Sequence, residues 1–264
     1  MPITDSAICL RRSDYSETSL VVRMMTRSHG QVAAIAKGVK RPKSKFGGSI
    51  DLLTVGQAVF TLPREGSAGS LGLLTAWDQT DVFPCLRTDL LRHAAATTAG
   101  ELLSRLIEEL DPHPASFDAM LTFLRALQAD QPPIRRLAEF MRSLLLDVGL
   151  TPHMDTCVNC GRPIEEETAP SRSDRLAFSG PRAGVLCPAC PPRPGESTLL
   201  ISRKIKESFI QGELTSGRLA LDIVRWLVYH VQHQIGRELS TAPGLERAVE
   251  AALVKYASSN RASK

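Results

Sequence analysis

Four cysteines stand in the arrangement C-x2-C-x26-C-x2-C, at Cys157, Cys160, Cys187 and Cys190. Each C-x2-C pair can curl into a knuckle that points two thiolates at one ion. Two knuckles together supply the tetrahedral sulfur shell that zinc prefers. Four thiolates leave no open position for water, so the expected ion is one structural Zn2+ and not a catalytic one. His153, four residues before Cys157, would be a fifth ligand and is not needed. Gly161 and Pro163 follow the first knuckle and Pro188 sits inside the second, so both are turn-rich. Between them, Arg175 to Ser179 and Gly184 to Cys187 have the composition of two short strands around a turn at Gly180 and Pro181. The spacer exceeds the usual length of about 15 to 20 residues. The polar run from Glu165 to Asp174 is expected to loop out of the resulting zinc ribbon, at about 155–192. A redox pair would need a single C-x2-C beside a βαβ pattern, which is absent.

A second constellation is basic. Lys37, Lys40, Arg41, Lys43 and Lys45 fall within nine positions, and Gly38 and Pro42 keep that backbone irregular. Loop cations of this density neutralise phosphates without reading sequence, and their affinity falls steeply with salt. A solvated charge run is the competing explanation, and placement on an OB barrel favours nucleic acid over it. Only Tyr15, Phe46, Phe60 and Trp77 are aromatic in this region, and at least two are needed for a core, so electrostatics and not base stacking should dominate. Asp14 and Glu17 are read as polar groups of a strand-end turn. His230 and His233, three apart on a helical pattern, lack a carboxylate at metal spacing and are read as structural. No H-E-x-x-H, Walker A, G-x-S-x-G or zinc-deaminase motif occurs, so nothing requires an enzyme.

The elements that must carry these groups follow from periodicity. Over residues 1–80, alternation marks strands at Ser6 to Arg11, Ser19 to Met25, Gln31 to Lys37, Ser49 to Leu53, Gln57 to Leu62 and Ser70 to Ala76. Five or six short strands in about eighty residues is the size of an OB-fold, with an SH3-like barrel as competitor. From Thr88 the period becomes helical, with apolar stripes over 90–110, 117–127 and 134–148, the last closed by Gly149. After the ribbon, Ser202 to Gln211, Arg218 to Leu239 and Leu245 to Tyr256 also read as helices. The expected architecture is α+β and multidomain: a β-barrel over 1–80, then an all-α domain over 81–264 from which the ribbon projects.

The 264 residues carry a net charge of +4, unevenly spread. Residues 1–80 hold ten Lys and Arg against six acids, 81–156 seven against eleven, and 157–264 fifteen against eleven. Basic flanks around an acidic middle suit a polyanionic partner. No run of about eighteen apolar residues and no basic-then-apolar leader is present, so a cytoplasmic location is expected. Cys9 and Cys85 are then expected to be reduced and buried.

Three segments carry a specific resemblance: Ala7-Ile-Cys-Leu-Arg-Arg-Ser-Asp-Tyr-Ser-Glu-Thr-Ser-Leu20, His29-Gly30 followed by Ala36-Lys-Gly-Val-Lys-Arg-Pro-Lys-Ser44, and Asp147-Val-Gly-Leu-Thr-Pro-His153 leading into Cys157-Val-Asn-Cys-Gly161. In this order they resemble the RecO family of bacterial DNA repair proteins. The resemblance implies an N-terminal OB-fold and a helical domain with a zinc module. It also implies a recombination mediator, associated with the nucleoid, that binds single- and double-stranded DNA and anneals complementary strands. Implied partners are RecR and the acidic, apolar C-terminal tail of single-stranded DNA-binding protein. Lys37 and Arg41 match the family loop that touches DNA, with Lys40, Lys43 and Lys45 as neighbours. For the tail, a groove with cationic rim Arg125, Arg135, Arg136 and Arg142 and apolar floor Leu124 and Leu137 is the expectation. A zinc-ribbon accessory factor of transcription or translation is the alternative, and a metal-dependent hydrolase the third reading, which a four-thiolate site argues against.

Overall fold

The computed structural model describes residues 1–41, 46, 50–62, 71–164, 174–214 and 217–262. Five strands form a closed barrel: β1 (Ile3–Asp14), β2 (Leu20–Thr26), β3 (Gly30–Ala36), β4 (Val55–Thr61) and β5 (Gly72–Asp81). Their order around the barrel is β1-β2-β3-β5-β4, and every pairing is antiparallel except β3 with β5. This closed five-stranded arrangement is OB-like, which decides against the SH3-like competitor.

Strand β1 explains how the barrel is fixed to the rest of the chain. Ala7 and Cys9 point into the barrel core beside Val22, Met24, Phe60 and Trp77. Ile8 and Leu10 point the other way, into the core of the helical domain. Both faces are therefore buried, and the strand reads as the continuous apolar run Ala-Ile-Cys-Leu. Burial pushes the Cys9 thiol up to about 12, so it stays protonated.

Where a strand is expected at Ser49 to Leu53, the described residues 50–53 do not form one. Ile50 to Leu53 make a turn in which Leu53 takes φ 61°, held by Leu53 N–H to Cys9 C=O at 2.7 Å and Cys9 N–H to Thr54 C=O at 3.0 Å. The turn sends Ile50 into the barrel, Leu52 outward to solvent and Leu53 into the helical core. A strand offers only two directions, alternately, so it could not make this three-way distribution.

The helical part comprises α1 (Cys85–Thr88), α2 (Leu90–Leu106), α3 (Pro114–Gln128), α4 (Pro133–Asp147), α5 (Arg203–Gln211), α6 (Arg218–Ile235) and α7 (Ala242–Ala262). Helix α2 packs on α4 and α7, while α4 packs on α3 and α6. Prolines at the starts of α3 and α4, the Ser202 side chain accepting from Ile205 N–H, and Gly149 at φ 72° delimit them as their types predict.

Two helices end about a turn earlier than expected. Helix α2 stops at Leu106 and not near Leu110, because Gln31 of the barrel claims the following backbone. Its side chain donates to Leu103 C=O and Ile107 C=O, and its own C=O accepts from Leu110 N–H at 3.0 Å. Helix α6 ends at Ile235, with Gly236 left-handed at φ 66°, so α7 starts separately. Glu101 on α2 caps that start by accepting from the backbone N–H and hydroxyl groups of both Ser240 and Thr241.

A second sheet, β7-β6-β8, is built from β6 (Arg175–Ser179), β7 (Gly184–Leu186) and the unanticipated β8 (Thr198–Ser202). It does not stand clear of the helices. Phe178 of β6 is fully buried, edge-on to Trp226 of α6 at 5.4 Å, and the sheet's apolar residues belong to the helical core. Turn residue Gly180 lies against α6 so closely that an added Cβ would come within 2.5 Å of the His233 ring.

Gly30 takes φ 69°, and a Cβ there would lie 2.2 Å from Asp111 C=O. A left-handed non-glycine residue costs about 1–2 kcal/mol before any clash. The expected outcome for Gly30→Ala is a loss of more than about 2 kcal/mol in urea unfolding. A loss below about 1 kcal/mol would mean that the barrel and helical core do not meet here as described.

Candidate metal centre and nucleic-acid interface

Residues 155–164 form a small hairpin that presents the first knuckle. Cys157 N–H donates to Arg162 C=O at 2.8 Å, and Gly161 N–H returns to Cys157 C=O at 2.8 Å, with Gly161 at φ 72° closing the turn. Val158 N–H to Val185 C=O at 3.0 Å ties this hairpin to β7, which leads into the second knuckle, where Cys190 N–H donates to Cys187 C=O at 2.9 Å.

All four sulfurs lie within 4.8 Å of one another, and Cys160 Sγ is 3.8 Å from Cys187 Sγ. A tetrahedron with metal–sulfur bonds of about 2.3 Å has edges of about 3.8 Å, so the donor set fits one metal ion. Burial disfavours the Cys157 thiolate, but the backbone N–H groups of Cys187, Asn159 and Cys160 outweigh it and bring the thiol down to about 6. Cys187 is pushed up to about 11 by burial and by the neighbouring sulfurs. Thiols so close cannot all ionise against one another, and a divalent cation held by the four sulfurs would supply the missing charge. His153 is not in the cluster. His230 is buried, its Nε2 2.8 Å from Leu150 C=O, and burial lowers its pKa, as suits a structural histidine.

A layer behind the cysteines was not foreseen. Asn159 Nδ2 donates to Cys190 Sγ at 3.4 Å, and Arg182 holds the Asn159 amide oxygen at 2.9 Å. Arg182 also grips Glu196 with two bonds of 2.8 and 2.7 Å, and Glu196 accepts from Ser179 Oγ and Arg193 N–H. Those donors, Arg182 first, bring Glu196 down to about 2. These residues are scattered in sequence without a recognisable spacing, so only folding reveals them. Ligand orientation by such outer partners is a general property of metal sites.

The basic segment leaves β3 through a turn at Gly38, φ 72°, closed by Arg41 N–H to Gly38 C=O at 3.1 Å. Lys40 is anchored: its Nζ lies 2.6 Å from Asp14 and its N–H donates to Thr18 C=O. Lys37 and Arg41 are exposed and form no ion pair with another described residue. Lys43 and Lys45 lie outside the described residues. Trp77 and Phe60 are core, whereas Tyr15 is 64% exposed near this turn, on the β1–β2 connection.

The apolar floor expected of the partner groove is not exposed. Leu124 and Leu137 are fully buried among the helices and offer no floor. The four arginines have other partners: Arg125 pairs with Asp81, Arg135 and Arg136 both hold Glu139, and Arg142 donates to Phe209 C=O while its guanidinium lies over that ring. An amphipathic stripe shows which residues share a helix face, not whether another helix covers it.

Comparison with known proteins bears on both sites. The family model Recombination protein O N terminal matches residues 1–83, and Recombination protein O C terminal matches residues 87–208. The chain belongs to the RecO family. The DNA repair protein RecO of Anaeromyxobacter dehalogenans (strain 2CP-C) is 34% identical over 187 residues, covering 71% of this chain and 70% of that protein. That of Symbiobacterium thermophilum is 29% identical over 250 residues, covering 90% and 94%. The N-terminal match spans the barrel with its basic turn, and the C-terminal match contains all four cysteines. No helix among the described residues is long and apolar enough to cross a membrane.

The Glu196 carboxylate, brought from an ordinary 4.5 to about 2, contributes stability that is present above about pH 4.5 and is lost as the pH falls toward 2. Glu196→Gln should therefore be less stable than the native chain at neutral pH, and that difference should shrink on acidification below 4.5. Denaturant melts across this range check it, and a pH-independent difference would refute the ionic role.

Proposed function

We propose that this chain is a non-catalytic mediator of recombinational DNA repair. In this reading it binds single- and double-stranded DNA, anneals complementary strands, and with RecR helps a recombinase replace single-stranded DNA-binding protein. Family membership over both parts of the chain carries the role. The exposed cations Lys37 and Arg41 on the barrel carry the DNA-binding assignment. They reach solvent from the turn at Gly38 and can meet phosphates of any sequence. Lys40, held on Asp14, would act by exchanging that carboxylate for a phosphate.

The natural division is a barrel unit over about 1–80 and a helical unit over about 81–264, with the ribbon inserted in the latter. The ion is proposed to be Zn2+, because four thiolates in a tetrahedral set favour it. When bound it supplies a cross-link between two loops. Cys157, Cys160, Cys187 and Cys190 fill its coordination, so the site is structural.

The purified protein should anneal complementary strands already coated with single-stranded DNA-binding protein, without nucleotide hydrolysis; binding to DNA with no annealing would reduce the proposal to a DNA-binding module. Metal analysis of the untagged protein should find one zinc per chain, and Cys187→Ser should lower that content and the hydrogen-exchange protection of residues around 155–192. Full protection without metal would show that the sheet needs no cross-link.

Replacing Lys37, Lys40 and Arg41 together by Ala should weaken binding to unrelated sequences alike. The salt slope on single strands should flatten by about 0.7 log units per lost phosphate contact. An unchanged slope would leave the turn a solvated charge run.

A further inference from the structure

The turn at Ile50–Leu53 is bordered by three hollows that share lining residues. The first, about 490 Å³, is bounded by Lys40 with its partner Asp14 and by Arg12 and Ile50. The second, about 400 Å³, also includes Arg12 and continues past Leu52 and Leu53 to Arg87. The third, about 600 Å³, begins at Leu52 and Leu53 and ends among Arg11, Arg23 and Arg105. Together they make one furrow from the basic turn of the barrel across its junction with α2.

Cations outnumber acids along its course. Arg12 and Arg87 share the single carboxylate of Asp51, at 2.5 and 3.2 Å. At the far end Arg105 meets Glu101, but that carboxylate already accepts four bonds from Ser240 and Thr241. Arg23 holds Glu109 at 3.0 Å in an exposed pair, which contributes little. Arg11 forms no ion pair or side-chain hydrogen bond with another described residue.

Arg11 and Arg23 are also direct cross-strand partners on β1 and β2. Like charges opposite each other on a ladder repel, and an anion between them removes that cost. Guanidinium groups in such a row suit phosphodiesters, whose oxygens accept from both arms of the fork. Leu52, 43% exposed at the middle of the furrow, gives an unstacked base an apolar edge to rest on.

We infer that the furrow is a second nucleic-acid contact surface, carrying a single strand from the Lys37–Arg41 turn across the domain junction to a phosphate clamp formed by Arg11, Arg23 and Arg105. This rests on the DNA-binding reading above and extends it to the path of the strand. The path crosses the junction between the two cores, so a strand lying in it would contact both units.

The test is fluorescence anisotropy with oligothymidylates of increasing length at several salt concentrations, on the native chain, Arg11→Ala/Arg105→Ala, Arg11→Ala alone and Lys37→Ala/Arg41→Ala. For the double variant, affinity should stop rising at a shorter length than for the native chain, the shortest oligomers should bind equally, and the salt slope on long ones should fall by about 1.4 log units. Arg11→Ala alone removes no internal bond, so it should fold normally and lose about 0.7. Native length dependence and slope in both crevice variants, while the Lys37→Ala/Arg41→Ala protein loses affinity, would overturn the furrow and leave the DNA-binding reading intact. Native binding by all variants would remove both. If the crevice variants instead lose only an acidic peptide and keep native DNA binding, the clamp serves a protein partner and the inference fails.

Discussion

Everything in this molecule depends on a strand buried on both sides. Ile8 and Leu10 of β1 enter the helical core while Ala7 and Cys9 fill the barrel, so one stretch of backbone belongs to two apolar interiors. The polar side of the same joint is closed by Gln31, whose side-chain amide and backbone carbonyl bond to backbone groups in the last turn of α2 and just after it. Arg27 adds a two-bond pair with Asp118 on α3 at 2.9 and 2.7 Å. Opening this joint would expose apolar surface and leave buried amide groups without partners, two penalties of the same sign. The barrel and helices are thereby held in one orientation, which a surface spanning both requires.

The ribbon is governed by a similar economy of core. Its strands are too short to bury an interior of their own, and Phe178 finds one against Trp226 and His230 of α6. The cysteine cluster closes the opposite side, where Cys160 is exposed and Cys187 and Cys190 are half-buried. Packing therefore fixes the sheet, and a metal ion held by the four sulfurs would act mainly on the two knuckles. Behind them Arg182 and Glu196 form a nearly dry ion pair that orients Asn159 toward Cys190. Removing one partner of such a pair leaves a charge without compensation, so these groups matter beyond their distance from the sulfurs.

The distribution of charge separates two kinds of arginine. Those on the outer faces of α3 and α4 are tied to Asp81 and Glu139 and complete the surface of the bundle. Arg11, by contrast, forms no ion pair with another described residue and is set opposite Arg23 by strand register, so the barrel itself brings two positive charges together. The acidic middle segment answers only part of it: Glu109 meets Arg23 in an exposed pair, while Glu101 is occupied in capping α7.

Local signals were enough for the barrel, for most of the helices and for the cysteines, because alternation, 3.6-residue periodicity and C-x2-C spacing are all properties of nearby residues. The basic turn was visible for the same reason. What the sequence could not determine is which apolar face meets which. Ile50, Leu52 and Leu53 look like a strand until three separate environments claim them, and Leu124 and Leu137 look available until other helices cover them. Strand β8, the early end of α2 and the Arg182–Glu196–Asn159 layer depend on partners distant in the chain. The four cysteines determined by themselves what chemistry could be assembled. Only the tertiary structure decided how deeply each is buried and what stands behind it, since burial is a property of the whole packing and not of any one segment.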